Sequence, residues 1–375
     1  MVIAIIEEYL NNKILRAKMT RKMLRKNNLQ NGNKKKNNSA RIDTPINVAT
    51  GVMTGVTSID ALDKKILSSL NQNVRESLTQ IAKKARSSKE VVHYRLNRLM
   101  AQGIIKEFVT IFGFGYWAYK VALQLQNVDS DEERSIIEYL VSHNNTNFVS
   151  PCSGNWDIVL AIMAKDPAQF EKVLREIMVH IGQYVHDYKV AVSIGGHTFG
   201  HTYILQSIKE SLIVPKNTSV VFDEKDKAIA NILLKNARAK LVELSTKTKI
   251  PVDTVKYRLH KMEENSLIKR YRLILDSSKI GYTRYEVFLR CMNLTASMAQ
   301  RFVYYAEQHP NIEYLGRYVG SFDFTMTVHF KSTQEFRTFV LDVKKTFGKV
   351  ITSFESVTLF ETLKYTYVPK ELQEK

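Results

Sequence analysis

Two stretches of the chain each open with three short amphipathic patterns of helical period. In the first stretch, the third pattern puts Val92, Leu96 and Leu99 on one face of a helix, at the i, i+4, i+7 spacing of a buried stripe. Ser88 is suited to cap the start of this helix, and Gly103 to follow its end. Because only a few residues separate the second pattern from the third, the arrangement predicts a helix-turn-helix.

The pattern then changes to the alternation that is typical of strands. A short wing strand is predicted at Ile104–Phe108, and another strand at Tyr119–Gln126, where Val121, Leu123 and Leu125 share one face. The elements predicted next are a helix, two strands, a helix and a strand, at Asp131–His143, Asn147–Cys152, Asp157–Met163, Pro167–Ile181 and Tyr184–Ile194. The order β-α-β-β-α-β is the ferredoxin-like arrangement.

The whole pattern occurs twice. In the helix-turn-helix stretch, residues recur 163 positions later, so that Asp63 matches Asp226 and Tyr94 matches Tyr257. In the strand-rich stretch the offset is 166, and the second set of elements is predicted at Tyr285–Met292, Thr295–His309, Glu313–Phe330, Thr333–Phe347 and Val350–Phe360. A repeat this long indicates a duplicated two-domain unit rather than a solenoid. The predicted fold class is α+β, with two winged helix-turn-helix domains alternating with two ferredoxin-like βαββαβ domains.

These patterns divide the chain into six predicted segments. They are a basic tail at 1–59, a winged helix-turn-helix domain at 60–112, a ferredoxin-like domain at 113–200, a linker at 201–222, a second winged helix-turn-helix domain at 223–275 and a second ferredoxin-like domain at 276–370. The tail contains an Asn- and Lys-rich low-complexity stretch that is typical of disorder. It is interpreted as a non-specific DNA arm, as a tethered tail without a role, or as an upstream extension from the wrong start codon.

Charge is concentrated in parts of this organisation. The chain of 375 residues has 55 Lys and Arg against 37 Asp and Glu, a formal net charge of +18. The tail at 1–59 contributes +8, and the blocks at 60–108 and 223–271 contribute +5 each, while the remaining segments cancel. A charge gathered in this way favours a polyanion as partner, with nucleic acid first and an anionic membrane second.

Other residue types exclude several classes of protein. The two cysteines, Cys152 and Cys291, cannot form a disulfide framework, and we expect them in the core of a reducing, intracellular protein. No apolar run is long enough for a transmembrane helix, and no signal peptide is predicted. His197 and His201 lie in a glycine-rich stretch that predicts a loop with two solvated histidines rather than a metal site. We therefore expect a cytoplasmic, nucleoid-associated protein without metal, cofactor or membrane partner.

The ordered set of motifs resembles the Lrp/AsnC family, the feast/famine transcription regulators. The motifs concerned are Leu62-Asp63-x-x-Ile66-Leu67, Asn73-x-Arg75-x-Ser77-Leu78, Ser88-x-x-x-Val92-x-x-Arg95-Leu96-x-x-Leu99, Gly103-x-Ile105 and Gly154-x-Trp156-Asp157. The resemblance implies a sequence-preferring regulator of double-stranded DNA that forms homo-oligomers through its βαββαβ domains and often senses an amino acid between them. Since family members usually have one such unit per chain and dimerise, this chain resembles a covalent pseudo-dimer.

The second copy departs from the first at both ends of its third helix. Pro251 stands where Ser88 caps the first copy, so we expect this helix to start later, with Asp253 as its cap. Ser266 replaces Gly103. The two DNA-reading helices are therefore not identical, and they need not recognise the same half-site.

The residues expected to contact DNA lie on the outward faces of the two third helices. They are Ser88, Lys89, Glu90, His93, Tyr94, Arg95, Asn97 and Arg98 in the first copy, and Asp253, Thr254, Lys256, Tyr257, Arg258, His260 and Lys261 in the second. Asn, Lys and Thr side chains can contact base edges, whereas the arginines and Lys261 are expected to contact phosphates. The alternatives are ordinary solvated helix faces and, for Arg95 and Arg258, a salt bridge within the domain.

The resemblance places an effector pocket at the hairpin turns of the strand-rich domains. The turns concerned are Gly154, Asn155, Trp156 and Asp157 in the first copy and Gly320, Ser321, Phe322 and Asp323 in the second. Glycine allows close approach of the backbone, and backbone or Asn amides could hold a carboxylate. The alternative is a plain hairpin turn with its aromatic side chain packed on the sheet.

Two other functions compete with DNA-dependent regulation. Siroheme decarboxylases resemble this fold, and the resemblance implies that such enzymes have a His- and Arg-bearing segment near the central hairpin. The corresponding segment, Ser150–Asp157, has neither residue, and an enzyme leaves the basic blocks unexplained, so we predict that the chain is not an enzyme. An RNA binder or an architectural, chromatin-like DNA binder is the other alternative.

Overall fold

The computed structural model describes residues 56–113, 115–205, 212–213 and 223–365. The predicted basic tail up to residue 55, and most of the predicted linker at 201–222, lie outside these ranges.

The first copy opens with three helices, α1 (Ala61–Gln72), α2 (Leu78–Ala85) and α3 (Lys89–Ala101). Ser88 caps α3 as predicted, because its hydroxyl oxygen accepts a hydrogen bond from the amide of Val91 at 3.2 Å. The three helices pack around a core that contains the predicted stripe, with Val92, Leu96 and Leu99 buried. Strand β1 (Ile105–Phe112) follows and is longer than the predicted wing strand.

The second copy repeats these elements as α6 (Glu224–Lys235), α7 (Leu241–Thr248), α8 (Val252–Glu264) and β7 (Ile268–Leu275). The expectation of a later start for α8 is wrong. The helix begins directly after Pro251, whose side chain makes no capping hydrogen bond, and Asp253 lies in its first turn. Proline fits the start of a helix because the amide it lacks has no partner inside the helix there.

The strands that follow the two helix-turn-helix units pair with each other. Strands β1 and β7 form an antiparallel two-stranded ladder in which Phe108 lies opposite Leu273 and Thr110 opposite Tyr271. The sequence pattern predicted the first of these strands as a wing within its own domain. In the structure this backbone pairing joins the two copies.

The remaining elements form a sheet with helices along it. The first copy supplies β2 (Trp117–Leu125), α4 (Ser130–Ser142), β3 (Thr146–Gly154), β4 (Ile158–Ala164), α5 (Pro167–Ile181) and β5 (Val185–Thr198). The second supplies β8 (Thr283–Cys291), α9 (Ala296–Gln308), β9 (Ile312–Gly320), β10 (Phe324–Phe330), α10 (Thr333–Phe347) and β11 (Ile351–Leu359). Both α5 and α10 have the predicted bounds, and most other elements differ by a few residues at their ends. Two short strands, β6 (Leu212–Ile213) and β12 (Lys364–Tyr365), pair with β5 and β3.

The two halves of the sheet meet along two equivalent seams. Strand order is β5-β2-β4-β3 in the first half and β11-β8-β10-β9 in the second. At one seam β5 pairs with β9, where Ala191 lies opposite Gly320, and at the other β11 pairs with β3, where Val357 lies opposite Gly154. These positions are related by the sequence offset, so the backbone follows a pseudo-two-fold relationship.

Apolar side chains fill both faces of the sheet. One face packs against the helices in two clusters, which centre on Leu140 and Leu160 in the first half and on Phe302 and Phe324 in the second. The other face holds a cluster shared by the two halves, which includes Trp156, Phe288 and Phe322. The two halves are therefore joined in two ways, by side-chain packing in the shared cluster and by backbone pairing at the seams.

The histidine and cysteine predictions have different outcomes. The prediction of two solvated histidines is wrong, because His197 lies in β5 and both it and His201 are buried. The ring of His201 lies 3.1 Å from the carbonyl oxygen of Leu273, so a tertiary contact with β7 holds it. Cys152 is buried as predicted, whereas Cys291 is half-buried at the end of β8. Burial raises the pKa of both thiols to about 12.

No helix in the described ranges is both long enough and apolar enough to cross a lipid bilayer.

Candidate nucleic-acid interface

Helix α3 presents a polar face outward. Its core stripe is buried, and the side chains of Lys89, Glu90, His93, Tyr94 and Asn97 are exposed. Tyr94 keeps 67% of its surface exposed. The Nδ2 atom of Asn97 lies 3.3 Å from the ring of His93 one turn earlier. This face offers the hydrogen-bonding groups and the aromatic surface that a nucleic-acid contact uses.

Helix α8 presents the corresponding face in the second copy. Asp253, Lys256, Tyr257 and Lys261 are exposed, and Tyr257 keeps 66% of its surface exposed, nearly the value of its counterpart in α3. His260 is also exposed and its ring lies 3.2 Å from the carboxylate of Glu264, while Thr254 is half-buried. The two faces therefore share an exposed tyrosine and differ in their other polar groups.

Two arginines of α3 bind carboxylates at the start of α1. Arg95 Nη1 lies 2.6 Å from Asp60 Oδ2 and 3.4 Å from Asp63 Oδ1, and Arg98 pairs with the fully buried Asp63. The hydrogen bond to Asp60 raises the pKa of Arg95. The salt bridge that the sequence left open for Arg95 is thus present, and Arg98 makes one that was not anticipated. Phosphate contact by their remaining N–H groups stays a prediction.

Arg258 repeats this arrangement in the second copy. Its Nη1 lies 2.6 Å from Asp223 Oδ2 and 2.9 Å from Asp226 Oδ1, and the hydrogen bond to Asp223 raises its pKa. The residue equivalent to Arg98 is Lys261, which is exposed and forms no ion pair within the described ranges. The recurrence of Asp63 as Asp226 was the sequence signal for these salt bridges.

A reciprocal pair of arginines fixes the two helix-turn-helix units to each other. Arg75 Nη1 and Nη2 donate to the carbonyl oxygens of Ala237 and Ala239 at 2.6 and 2.8 Å. Arg238 Nη2 donates to the carbonyl oxygen of Glu76 at 3.0 Å, and its Nη1 to that of Val74. Each arginine thus reaches across to the turn before the second helix of the other unit. Sequence reasoning identified both arginines as repeat matches but did not anticipate this role.

The hairpin turn of the first copy is tightly built. Gly154 has a φ of 139°, and its Cβ position would lie 3.0 Å from the carbonyl oxygen of Ser356. Trp156 is buried and its Nε1 donates to Glu355 at 3.0 Å, while Asp157 Oδ2 accepts a hydrogen bond from the amide of Leu125 at 2.7 Å. Of the predicted effector residues here, Asn155 alone has an exposed side chain.

The hairpin turn of the second copy has the same construction. Gly320 has a φ of 142°, Phe322 is buried, and Asp323 Oδ2 accepts from the amide of Cys291 at 2.8 Å. Ser321 Oγ accepts from the amide of Val190 at 3.2 Å. The aromatic side chains of both turns therefore pack between the halves of the sheet, and an effector at these turns stays a prediction.

The shared face of the sheet also contains charged pairs that sequence reasoning missed. Lys120 pairs with Glu286, and Lys189 Nζ lies 2.5 Å from Glu355 Oε1. Burial would raise the pKa of Glu286, but Lys120 outweighs it and holds the pKa below its ordinary value. Among the residues that the structure places, no cluster of His, Cys, Asp and Glu could hold a metal ion.

Both helix-turn-helix units match one family model. The model describes a winged helix-turn-helix DNA-binding domain, and it matches residues 59–106 and 222–269. A curated HTH-type transcriptional regulator of Pyrococcus furiosus is 30% identical over 135 residues, which cover 34% of this chain and 89% of that regulator. Another, of Pyrococcus horikoshii, is 26% identical over 149 residues, or 38% of this chain and 93% of that regulator. Each regulator thus has the length of one copy of the repeat.

A solved structure matches both copies together. The crystal structure of the siroheme decarboxylase NirDL aligns with 82% of this chain and 93% of its own, with a TM-score of 0.55 and 12% sequence identity. At that identity the likeness concerns the fold alone.

Proposed function

The chain belongs to the Lrp/AsnC family of DNA-binding HTH-type transcriptional regulators, and from this premise we propose that it binds double-stranded DNA as a covalent pseudo-dimer. The outward faces of α3 and α8 are its two reading heads. The reciprocal contact of Arg75 and Arg238 is the main support, because it holds two exposed recognition helices in one relationship within a single chain. The two sheet halves are then ferredoxin-like domains that hold the reading heads together.

The polar groups of the reading heads divide into two roles. Asn97 and Lys256 are the proposed contacts to base edges, since amide and ammonium groups can bond those edges in the major groove. Lys261 is the proposed phosphate contact with the most freedom, because no carboxylate in the described part of the chain pairs with it. Arg95 and Arg258 have five N–H groups each, so the groups that their carboxylates leave unused can still donate to phosphates.

The two reading heads differ, so the proposed DNA site has two unlike half-sites. The test is selection of duplexes from a random pool by the full chain, followed by footprinting. We expect two different half-sites whose centres lie about one helical turn, or a multiple of it, apart. A single short motif without a second half would contradict the pseudo-dimer. Binding without any enriched motif would favour an architectural protein, and tighter retention of RNA than of duplex DNA would favour an RNA binder.

An enzyme is the weaker candidate, and we propose that the chain has no decarboxylase activity. The likeness to NirDL supports a shared fold only, and Ser150–Asp157 has neither histidine nor arginine. The carboxylates of Asp157 and Asp323 are bound to backbone amides, which leaves them poorly placed for acid–base chemistry. Incubation of the full chain with siroheme should leave the substrate unchanged on chromatography.

Responsiveness to an amino acid and assembly into homo-oligomers belong to the same proposal. At the hairpin turns the exposed groups left for an effector are the side chains of Asn155 and Ser321 and nearby backbone amides. Titration calorimetry of the full chain with a set of L-amino acids tests this, with Asn155→Ala as the variant that should weaken binding. Sedimentation of the free chain and of its DNA complex tests assembly, and microscopy of a tagged chain tests association with the nucleoid.

A further inference from the structure

A pocket of about 330 Å³ lies between the second helix-turn-helix unit and the second half of the sheet. Its walls come from the end of β7, the 3₁₀ turn at Ser277–Ile280, the start of β8 and the residues just after β11. Small-molecule sites in proteins begin at about this volume. None of the residues assigned above to DNA or to the hairpin turns lines this pocket.

The pocket lies where the two copies differ in length. Equivalent elements are offset by 163 residues up to β1 and β7 and by 166 residues from β2 and β8 onward. The second copy therefore has three additional residues in its connection from β7 to β8, and that connection contains the 3₁₀ turn. Since Ser277 and Ser278 of this turn line the pocket, the shape of the pocket is specific to the second copy.

Most charged side chains around the pocket neutralise one another. Lys106 Nζ lies 2.7 Å from Glu361 Oε1, and Arg272 pairs with Glu313. Glu313 also accepts a hydrogen bond from His329 Nε2 at 2.6 Å. Burial would raise the pKa of Glu313, but Arg272 and His329 outweigh it and hold the pKa well below its ordinary value. These groups therefore form satisfied ion pairs without a ligand.

Arg284 is the exception among the cations of the pocket. Its Nη1 donates to Thr362 Oγ1 at 2.5 Å, whereas its Nε is buried and has no hydrogen-bond partner. Within the described ranges no carboxylate forms an ion pair with it. Its charge helps to lower the pKa of Glu286 and of Glu313, but within the described ranges neither carboxylate accepts a hydrogen bond from it. The equivalent residue of the first copy is Ala118, so this position in the sheet does not require an arginine.

We propose that this pocket binds a small organic monocarboxylate with an apolar body, which the guanidinium of Arg284 holds. A guanidinium presents parallel N–H groups that match the two oxygens of a carboxylate. Because the carboxylates of Asp276, Glu313 and Glu361 also line the pocket, a ligand with a single negative charge fits it better than a phosphate with up to two. Ile274, Leu359 and Phe360 supply apolar surface for the body of the ligand.

The test uses the full chain and benzoate as the probe, with binding followed by titration calorimetry. We expect saturable binding of benzoate and none of benzamide, which has the same shape without the charge. Arg284→Gln should weaken benzoate binding about tenfold or more, as expected for loss of a hydrogen-bonded charge partner. The affinity of Arg284→Lys for benzoate should lie between those of the parent and of Arg284→Gln, because lysine keeps the positive charge but lacks the two parallel N–H groups. Arg337→Gln, an exposed arginine on α10, is the matched control and should bind as the parent does.

Three results would overturn the proposal. They are no saturable benzoate binding at tens of millimolar, equal binding by Arg284→Gln, and tighter binding of phenylphosphonate than of benzoate. Thermal denaturation of each variant in the absence of ligand shows whether it is folded. If Arg284→Gln does not fold, Arg284→Lys still tests the proposal. Because binding is measured on the protein alone, this test can fail while DNA binding succeeds, and the reverse.

Discussion

Lys120 and Glu286 occupy the same position in the two copies and form a buried ion pair with each other. They are 166 residues apart, and their side chains keep 10% and 1% of their surface exposed. Lys189 and Glu355, also 166 residues apart, form a second such pair. In a dimer of identical chains each of these positions would bring two like charges together. Opposite charges at matched positions are possible only because the two halves have different sequences.

Reversing one charge of the buried pair should destabilise the fold strongly. In Lys120→Glu two carboxylates face each other away from water, so we expect a loss of about 3–5 kcal/mol in the free energy of unfolding. The double variant with Glu286→Lys should recover most of that loss, because the pair is restored with its partners exchanged. Urea denaturation followed by circular dichroism measures both.

The second pair provides the matched control for this experiment. Lys189 is one-third exposed, so Lys189→Glu should cost only about 1 kcal/mol, as solvent screens the repulsion. If the double variant at Lys120 and Glu286 is no more stable than the single variant, the ion pair does not account for the choice of these residues.

The arginines that join the two helix-turn-helix units should affect DNA binding from a distance. Arg75→Ala leaves the carbonyl oxygens of Ala237 and Ala239 without their donor, which costs about 1–3 kcal/mol. We expect this variant to lose affinity for a two-half-site duplex while keeping its affinity for a single half-site. Fluorescence anisotropy with both duplexes measures the difference. Arg337→Ala, an exposed arginine on α10 outside the basic blocks, is the control, and equal losses on both duplexes would contradict the role given to Arg75.

DNA binding should weaken steeply as salt rises. If roughly 6–10 phosphates are contacted, the logarithm of the affinity should fall by several units per tenfold increase in salt. Lys261→Ala should reduce that slope by about one, because one phosphate contact is lost, and should weaken all sequences alike. Anisotropy titrations over a range of salt concentrations check both results. A salt-independent affinity would remove the basis for interpreting the basic blocks as a DNA footprint.

Residues that face the bases should change which sequence is preferred. Asn97→Ala should relax selectivity in one half-site and Lys256→Ala in the other, by about 1–3 kcal/mol per base pair concerned. Repeating the selection from a random pool with each variant shows which half-site changes. Lys261→Ala is the control, because loss of a phosphate contact should leave the selected motif unchanged. If both variants alter the same half-site, the two helices do not read separate halves.

Local signals in the sequence predicted helix ends well. The bounds of α5 follow from Asp166, Pro167 and Gly182, which cap, start and end that helix, and the structure has the same bounds. The start of α8 was missed because Pro251 occupies the N-cap position without a capping hydrogen bond, which the preference for polar caps does not anticipate. The salt bridge of Arg258 could be anticipated because its acidic partners recur with the repeat.

Contacts between distant segments could not be predicted in the same way. Alternating apolar residues indicate that β1 is a strand, but they do not identify β7 as its partner. His201 was expected in solvent because its neighbours are glycines, whereas Tyr203 and β7 bury it. Burial of this kind depends on tertiary packing, so it cannot be predicted from the residues next to His201 in the sequence.

The buried His201 should make stability depend on pH. Burial lowers the pKa of this ring from 6.5 to about 4, so the folded chain keeps it neutral while the unfolded chain protonates it below pH 6.5. The unfolded state thus binds more protons between pH 6.5 and 4, and stability falls as pH falls through that window. Between pH 7 and pH 5 this group should remove about 2 kcal/mol from the free energy of unfolding.

His201→Gln should flatten that dependence, because glutamine keeps a hydrogen-bonding group near the carbonyl of Leu273 but does not titrate. Burial also lowers the pKa of His329, so part of the slope should remain in the variant. Urea denaturation at intervals from pH 7 to pH 5 measures the slope, and the exposed His93→Gln is the matched control that should leave it unchanged. A slope that is the same in His201→Gln and in the parent chain would show that the ring of His201 is not held neutral by the fold.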